Sequence, residues 1–220
     1  MTLTIGHRGA SAHAPENTLL AINKAFEMGC DAVEIDVHKC ASGELVVHHD
    51  DTLERTTNGQ GNVKDKTLDE LKELDAGDGE KIPTLSEVLA IIPKGRKVLI
   101  EAKQSDIAKD LAKAITPSED IIVISFDYDF LRKLKATSPK MNVGASFEEE
   151  MDWDKVVDIE LYSVNPKVKI LTKDIVDEAH VADIKVFTWT VRDDEGLERA
   201  LESDPDGIMF DDPLMAKEIF

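Results

Sequence analysis

The chain has 220 residues, and its 45 acidic and 26 basic side chains give a formal net charge of -19 at pH 7. So negative a surface repels nucleic acid and anionic membranes, and a phosphate site in it would need its own local positive charge. Apolar residues make up 42% of the sequence, and no apolar run reaches the roughly 18 residues of a membrane span, so the composition is that of a globular protein.

The N-terminal residues and the two cysteines favour a cytoplasmic protein. Residues 1–7 contain neither the basic region nor the apolar run of a secretion signal, so we expect none. Cys30 and Cys40 form no CxxC pair and lie in no Cys/His cluster, which fits unpaired thiols in a reducing compartment. Neither feature predicts an oligomeric state.

The first part of the chain predicts two β-strands separated by one helix. The strands span residues 3–7 and 32–38, where apolar residues dominate or alternate with polar ones. Between them, Asn17 or Thr18 can cap a helix whose apolar residues keep helical spacing as far as Gly29, a residue that favours helix ends.

Residues 50–95 predict a small insertion over one end of the main body. A short extended segment at 44–50 leads into it, and the insertion is longer than a plain connection between a strand and a helix. Two helix starts with capping-box spacing, at Thr67 and Thr84, lie inside it.

From residue 97 onward, strands and helices alternate regularly. The predicted strands are 97–103, 121–125, 142–146, 161–164, 185–191 and 207–211. The predicted helices between them are 105–115, 128–137, 152–158, 172–182 and 194–202, with a last short helix at the end. Eight strands, each followed by a helix, predict an α/β fold: one (β/α)8 TIM-barrel domain over residues 1–220. A doubly wound open sheet is the alternative, but no GxGxxG turn follows the first strand.

The strand at 32–38 places two carboxylates on one face. Glu34 and Asp36 alternate with valine and isoleucine, so as a strand their side chains point the same way. Neighbouring acids among apolar residues repel unless a cation lies between them, and oxygen ligands suit Mg2+, Ca2+ or Mn2+. The alternative is an amphipathic edge strand with its acids in water. Glu101, at the end of the next barrel strand, is a third candidate ligand.

Further polar side chains follow the predicted strands at their C-terminal ends, where TIM-barrel enzymes carry their active sites. Arg8 and Lys103 supply the positive charge that an anionic substrate needs. His7 and a histidine after the second strand are candidates for proton donor and acceptor. The register after Gly43 does not decide between His48 and His49.

Several of these residues also have purely structural explanations. Glu101 and Lys103 could form an ion pair, and Trp189 either fills the mouth of the barrel or walls a substrate. Ser125 and Asp211 could simply cap the helices that follow them. We place the other histidines at the surface or the rim: His13, His38, His48 and His180.

Nine motifs, in this order along the chain, resemble those of the glycerophosphodiester phosphodiesterases. They are His7-Arg8-Gly9, Ala14-Pro15-Glu16-Asn17-Thr18, Glu34-Ile35-Asp36-Val37-His38, the stretch from Val46 through His49, Asp50 and Arg55 to Thr57, Pro83-Thr84-Leu85, Ile100-Glu101-Ala102-Lys103, Ser125-Phe126, Trp189-Thr190-Val191 and Asp206-Gly207-Ile208. The resemblance is dense in the first half and sparse over residues 138–180. It implies a barrel with a small insertion and a phosphodiesterase, dependent on one divalent cation, that converts glycerophosphodiesters to sn-glycerol 3-phosphate and an alcohol.

The resemblance also implies a role for each site residue. By motif match, the metal ligands would be Glu34, Asp36 and Glu101; the acid/base pair His7 and His49; the phosphate-binding residues Arg8 and Lys103; and the residue lining the substrate pocket Trp189. This selects His49 over His48. The cation would be Mg2+, Ca2+ or Mn2+.

Three positions depart from the family pattern. Arg192 stands where the family usually has asparagine, Phe210 where threonine is common, and Ala102 where a bulkier apolar residue is usual. None is a candidate catalytic residue, so they bear on substrate preference rather than on the reaction. A lysophospholipase D or sphingomyelinase D-like enzyme is one alternative, and a non-catalytic barrel that binds phosphodiesters is another.

Overall fold

A computed structural model describes residues 2–155 and 158–218. Within these residues there are nine strands: β1 (Leu3–His7), β2 (Ala32–Lys39), β3 (Leu45–Val47), β4 (Lys97–Ala102), β5 (Ile121–Ser125), β6 (Asn142–Phe147), β7 (Ser163–Pro166), β8 (Lys185–Val191) and β9 (Gly207–Phe210). All except β3 are parallel and form a closed barrel, because β1 pairs with both β2 and β9. The predicted (β/α)8 barrel is confirmed, and β3 is an added antiparallel strand on β2.

The helices cover the outside of the barrel. The α-helices of the described residues are α1 (Leu19–Glu27), α2 (Leu68–Glu73), α3 (Leu85–Ile91), α4 (Ala108–Ala114), α5 (Tyr128–Thr137), α6 (Lys173–Val181) and α7 (Asp194–Ser203). Short 3-10 helices lie at Val63–Asp65, Trp153–Lys155, Val168–Ile170 and Pro213–Glu218. No helix among the described residues is both long enough and apolar enough to cross a membrane.

Alternation along the strands separates an inner core from an outer one. Inside the barrel, a layer of buried side chains packs across it: Ile5, Ala32, Leu99, Ile122, Ile124, Phe187 and Met209. Val33, Ile35 and Val37 of β2 instead join the larger core between strands and helices. Because the side-chain period of a strand is two, Glu34 and Asp36 follow Ala32 into the barrel interior, above the apolar layer.

The insertion has a small core of its own. It is formed by Cys40, Val46, Leu53, Val63, Leu71, Ala76 and Ile82. Both predicted capping boxes are present, at Thr67 and Thr84. However, α3 packs with the main core through Leu85 and Val88, so this helix within the predicted 50–95 segment serves the barrel itself.

Element boundaries differ from prediction where local signals are weak. The predicted helix at 105–115 is shorter, and its N-cap, Ile107, offers no side-chain hydrogen bond. The predicted strand at 161–164 lies two residues later, at Ser163–Pro166. For the helix predicted near 152–158, the structure shows a 3-10 helix at Trp153–Lys155, and residues 156–157 lie outside the described residues.

Candidate active site

Three carboxylates converge at the C-terminal end of the barrel. Asp36 of β2 is the direct parallel partner of Glu101 of β4, and Glu34 is the partner of His7 of β1. One carboxylate oxygen from each of Glu34, Asp36 and Glu101 lies within 4.8 Å of the others. The structure therefore brings together the three acids that the strand pattern singled out.

The three acids are held at an electrostatic cost. Burial, together with the charges of Asp36 and Glu101, raises the pKa of Glu34 well above its usual value. Burial also raises the pKa of Glu101, but for Asp36 the nearby Lys103 and Arg8 outweigh burial and lower the pKa. Within the described part of the chain, the buried Oε1 atom of Glu34 has no hydrogen-bond partner. An unpartnered buried oxygen beside two further carboxylates fits a hard divalent cation.

Two positively charged side chains, Arg8 and Lys103, flank the carboxylates. The Arg8 Nε atom is 3.4 Å from Asp36 Oδ2, and the Arg8 backbone N–H donates to Glu34 at 3.1 Å. The Lys103 ammonium is 2.7 Å from Glu101 Oε1 and 3.5 Å from Asp36 Oδ1. The Glu101–Lys103 ion pair considered as a structural explanation is thus present, and both residues also line the cavity at this end of the barrel.

The turn after β1 makes this arrangement possible. Arg8 has φ of 55° and Gly9 has φ of 82°, so two left-handed residues reverse the chain directly after the strand. A Cβ atom on Gly9 would lie 2.5 Å from the backbone carbon of Ala21, which explains the glycine. The turn leads to Asn17, whose side-chain amide donates to Asp36 Oδ2 at 2.8 Å and accepts from the Asp36 N–H at 3.2 Å.

Asn17 is thus a site residue that the sequence pattern did not identify. Its neighbour Thr18 caps α1 by accepting from the Ala21 N–H. That leaves the Asn17 side chain for Asp36, at a φ of 60° that asparagine tolerates well. The only sequence feature that pointed to Asn17 was the helix start, where either Asn17 or Thr18 could have been the cap.

Each candidate imidazole is held through Nδ1 by a carboxylate. His7 Nδ1 lies 2.6 Å from Asp211 Oδ1, and His49 Nδ1 lies 2.6 Å from Asp50 Oδ1. Burial lowers the pKa of both histidines; the hydrogen bond to Asp211 opposes this at His7, and the charge of Asp36 opposes it at His49. His7 Nε2 is 3.9 Å from Glu34 Oε2. Each ring therefore has one nitrogen fixed by an acid.

Asp211 has contacts beyond the helix cap that was considered as its structural explanation. Its Oδ1 atom contacts His7, and Arg192 Nε donates to its second oxygen at 2.5 Å. The Ser125 hydroxyl does support the start of α5, because it accepts from the Asp127 N–H at 3.1 Å. Only the topology could have predicted the contact between Asp211 and His7, because the last strand of a closed barrel lies beside the first.

The expectation that His38 and His48 lie at the surface or rim is wrong. Their exposed fractions are only 1% and 4%. His38 Nε2 lies 3.2 Å from the carbonyl oxygen of His49, and His48 Nε2 lies 3.0 Å from that of Thr52. Both rings stabilise the loop that carries His49, which is why burial suits them.

The remaining wall of the cavity is largely apolar. Trp189 donates its indole N–H to the Asn165 carbonyl at 2.8 Å, and Phe126 meets the indole edge to face with 5.5 Å between ring centroids. The cavity is lined by His7, Arg8, Glu34, Asp36, His49, Glu101, Lys103, Ile124, Phe126, Ser146, Glu148, Trp189 and Met209. All eight candidate site residues thus face one space, and Trp189 walls it.

Comparison with known proteins identifies the arrangement. The model of the glycerophosphoryl diester phosphodiesterase family matches residues 7–215. A glycerophosphodiester phosphodiesterase of Caldanaerobacter subterraneus subsp. tengcongensis is 40% identical over 96% of this chain and 95% of its own length. One from Bacillus subtilis is 32% identical over 96% of this chain and 84% of its own.

Solved structures agree with the sequence relatives. An Oleispira antarctica phosphodiesterase in complex with the product sn-glycerol-3-phosphate has a TM-score of 0.90 at 28% identity, covering 99% of this chain and 96% of its own. A glycerophosphodiester phosphodiesterase from Thermotoga maritima has a TM-score of 0.87 at 28% identity, covering 100% and 99%.

Proposed function

The chain belongs to the glycerophosphoryl diester phosphodiesterase family, and we propose that its cavity hydrolyses glycerophosphodiesters to sn-glycerol 3-phosphate and an alcohol by acid/base catalysis between His7 and His49. One observation carries the proposal. Three carboxylates, two cations and two imidazoles line a single cavity at the C-terminal end of the barrel. A binding protein would have no use for two proton-transfer groups in such a place.

Glu34, Asp36 and Glu101 would hold one divalent cation. Their donor set is all oxygen, which suits Mg2+, Ca2+ or Mn2+, and the unpartnered Glu34 Oε1 provides a free ligand atom. When bound, such a cation polarises phosphoryl oxygens and stabilises the negative charge that grows on them during cleavage.

Charge counting supports a phosphodiester as the substrate. The three carboxylates contribute three negative charges, and Arg8 and Lys103 contribute two positive ones. With all three carboxylates ionised and no cation, the five groups sum to minus one and would repel a diester. A divalent cation changes the sum to plus one, which matches the single negative charge of a phosphodiester. Arg8 would contact the phosphate as a planar fork and Lys103 as a point charge.

Proton transfer falls to the two histidines. One imidazole takes the proton from the attacking hydroxyl, and the other gives a proton to the departing alkoxide. Asp211 and Asp50 hold the Nδ1 atoms, so that each ring keeps one orientation. The attacking hydroxyl is either water or the substrate's own glycerol hydroxyl, and in the second case a cyclic phosphate forms first.

A substrate panel tests the proposal. The purified protein is supplied with glycerophosphocholine or glycerophosphoethanolamine and with Mg2+, Ca2+ or Mn2+ in turn. We expect sn-glycerol 3-phosphate in equimolar amount with the alcohol, loss of product with a chelator, and recovery on adding the cation back. Absence of product with every cation would overturn the proposal. Turnover confined to lysophosphatidylcholine or sphingomyelin would instead identify the lipid phosphodiesterase alternative.

A further inference from the structure

Arg55 occupies an unusual position between the insertion and the cavity. It follows β3 by a few residues, and its near neighbour Leu53 is fully buried in the insertion core. Its guanidinium reaches out of that core and makes four hydrogen bonds to two carboxylates. Nε and Nη2 donate to Asp50 at 2.7 and 2.9 Å, and Nη1 and Nη2 donate to Glu16 at 2.8 and 2.7 Å.

Each carboxylate also contacts a residue that lines the cavity. Asp50 Oδ1 is also the oxygen that lies 2.6 Å from His49 Nδ1. Glu16 Oε1 also accepts from Arg8 Nη1 at 2.8 Å. One guanidinium is therefore joined, by a single carboxylate in each direction, to a candidate proton-transfer group and to a candidate phosphate-binding group.

The chemistry of the connection requires arginine. Two carboxylates that face each other at this separation repel, and a planar fork of donors can bind both of them with paired hydrogen bonds. The side chains of Glu16 and Asp50 are only 18% and 25% exposed, so they are partly shielded from water molecules that compete for those hydrogen bonds. A lysine would carry the same charge but could not make four directed hydrogen bonds.

We propose that Arg55 is a positioning residue of the reaction, which holds Asp50 and Glu16 so that His49 and Arg8 keep a fixed separation across the cavity. Through it, the insertion becomes part of the active site rather than an appendage. The inference rests on the proposed function, because it assigns to Arg55 the alignment of two of that function's groups.

The test compares kcat and KM for glycerophosphocholine among variants of the full chain. Arg55→Ala is expected to lower kcat/KM by about 10–100-fold, the usual effect of losing a partner that orients a site residue, with both a lower kcat and a higher KM. Asp50→Asn is expected to lower mainly kcat, because His49 is the cavity residue that Asp50 contacts directly. Glu16→Gln is expected to raise mainly KM, because Arg8 is the cavity residue that Glu16 contacts directly.

A conservative substitution and a chemical rescue distinguish a positioning role of Arg55 from a role in folding alone. Arg55→Lys should lose nearly as much as Arg55→Ala, and low-millimolar guanidinium should partly restore Arg55→Ala while methylammonium should not. Arg132→Ala is the matched control. Arg132 lies on α5 and binds two carboxylates, Asp129 and Asp158, but it is not among the described residues that line the cavity. Its loss should change the melting temperature and leave kcat and KM unchanged.

The outcomes are distinct. If the wild-type protein shows no turnover, the proposed function fails before the inference is tested. If the wild type is active and Arg55→Ala keeps its kcat and KM while only its melting temperature falls, Arg55 is structural and the inference is overturned. Full activity of Arg55→Lys would also overturn it, since charge alone would then suffice.

Discussion

The two sides of the cavity are built from different kinds of side chain. One side, from β1, β2, β4 and the loop after β3, supplies seven of the eight charged or titratable lining residues: His7, Arg8, Glu34, Asp36, His49, Glu101 and Lys103. The opposite side, from β5 through β9, supplies Ile124, Phe126, Ser146, Glu148, Trp189 and Met209. We infer that the first side performs the reaction and that the second shapes the space for the alcohol. We call them the charged side and the wall.

The largest effect should come from removing a proposed proton-transfer group on the charged side. His49→Ala is expected to lower kcat by roughly 10²–10⁴-fold, because a positioned acid or base is lost while the carboxylates remain. Binding of glycerol 3-phosphate, measured by calorimetry with the divalent cation present, should change little. His180→Ala is the control, since His180 is an exposed histidine that also pairs with an aspartate, Asp206. An unchanged kcat in His49→Ala would remove His49 from the mechanism.

A smaller effect should come from a residue that belongs to neither side. Asp211 follows β9 yet holds His7 Nδ1, so Asp211→Asn should lower kcat by about 10–100-fold with little change in KM. Arg192→Asn, which introduces the residue usual in the family, should cost less, because Ser11 still contacts Asp211. A rise in KM alone would show that Asp211 shapes substrate binding instead. Asp211 would then act with the wall rather than with the charged side.

The three carboxylates of the site, compared with the Asp211–His7 pair, show how far the sequence could predict the site. Glu34, Asp36 and Glu101 were accessible because strand periodicity fixes the face of each side chain and a parallel pair brings adjacent strand ends together. Asp211 and His7 are 204 positions apart in sequence, and only closure of the barrel makes them neighbours. No local pattern carries that information.

The same reasoning explains the residues that were misplaced. Thr18, one of the two predicted candidates, is the helix cap, so the Asn17 side chain is available to bind Asp36. These residues are 19 apart in sequence, and their contact depends on the left-handed turn after β1. His38 follows Glu34 and Asp36 on the same face of β2, at the end of the strand. Its ring lies against the carbonyl oxygen of His49, in the loop after β3, and is therefore buried. Capping boxes at Thr67 and Thr84 were predictable because all their bonds lie within four residues.

A stability measurement tests whether the charged side is strained without its cation. The folded-state pKa of Glu34 is raised, so in the metal-free protein the native state keeps a proton that the unfolded state loses. The free energy of unfolding should therefore fall as pH rises above the ordinary glutamate pKa, until Glu34 is ionised in both states. Glu101 acts in the same direction, Asp36 in the opposite one, and Arg8 and His7 also face Glu34.

Glu34→Gln isolates this contribution. In chelator at pH 7 the variant should be more stable than the wild type by about 1–3 kcal/mol, because a neutral amide avoids the cost of keeping a buried carboxyl protonated above its ordinary pKa or ionised with few partners. Urea unfolding from pH 5 to 8 measures it, and saturating divalent cation should abolish or reverse the difference. A variant that is less stable in chelator at every pH would show that Glu34 is well satisfied without a cation.

The smallest effect is expected on the wall. Phe126 is 44% exposed and packs edge to face on Trp189, so its ring is available to the alcohol part of the substrate. Phe126→Ala should raise KM for glycerophosphocholine by roughly 3–10-fold, the equivalent of about 1 kcal/mol of lost aromatic contact, and leave kcat within a factor of about two. Steady-state kinetics with several glycerophosphodiesters would measure it. Leu201→Ala removes a similarly exposed apolar side chain, 45%, from α7 and should change neither constant. If Phe126→Ala lowered kcat instead, the wall would also align the diester with the histidines. The assignment of the reaction to the charged side alone would then be wrong.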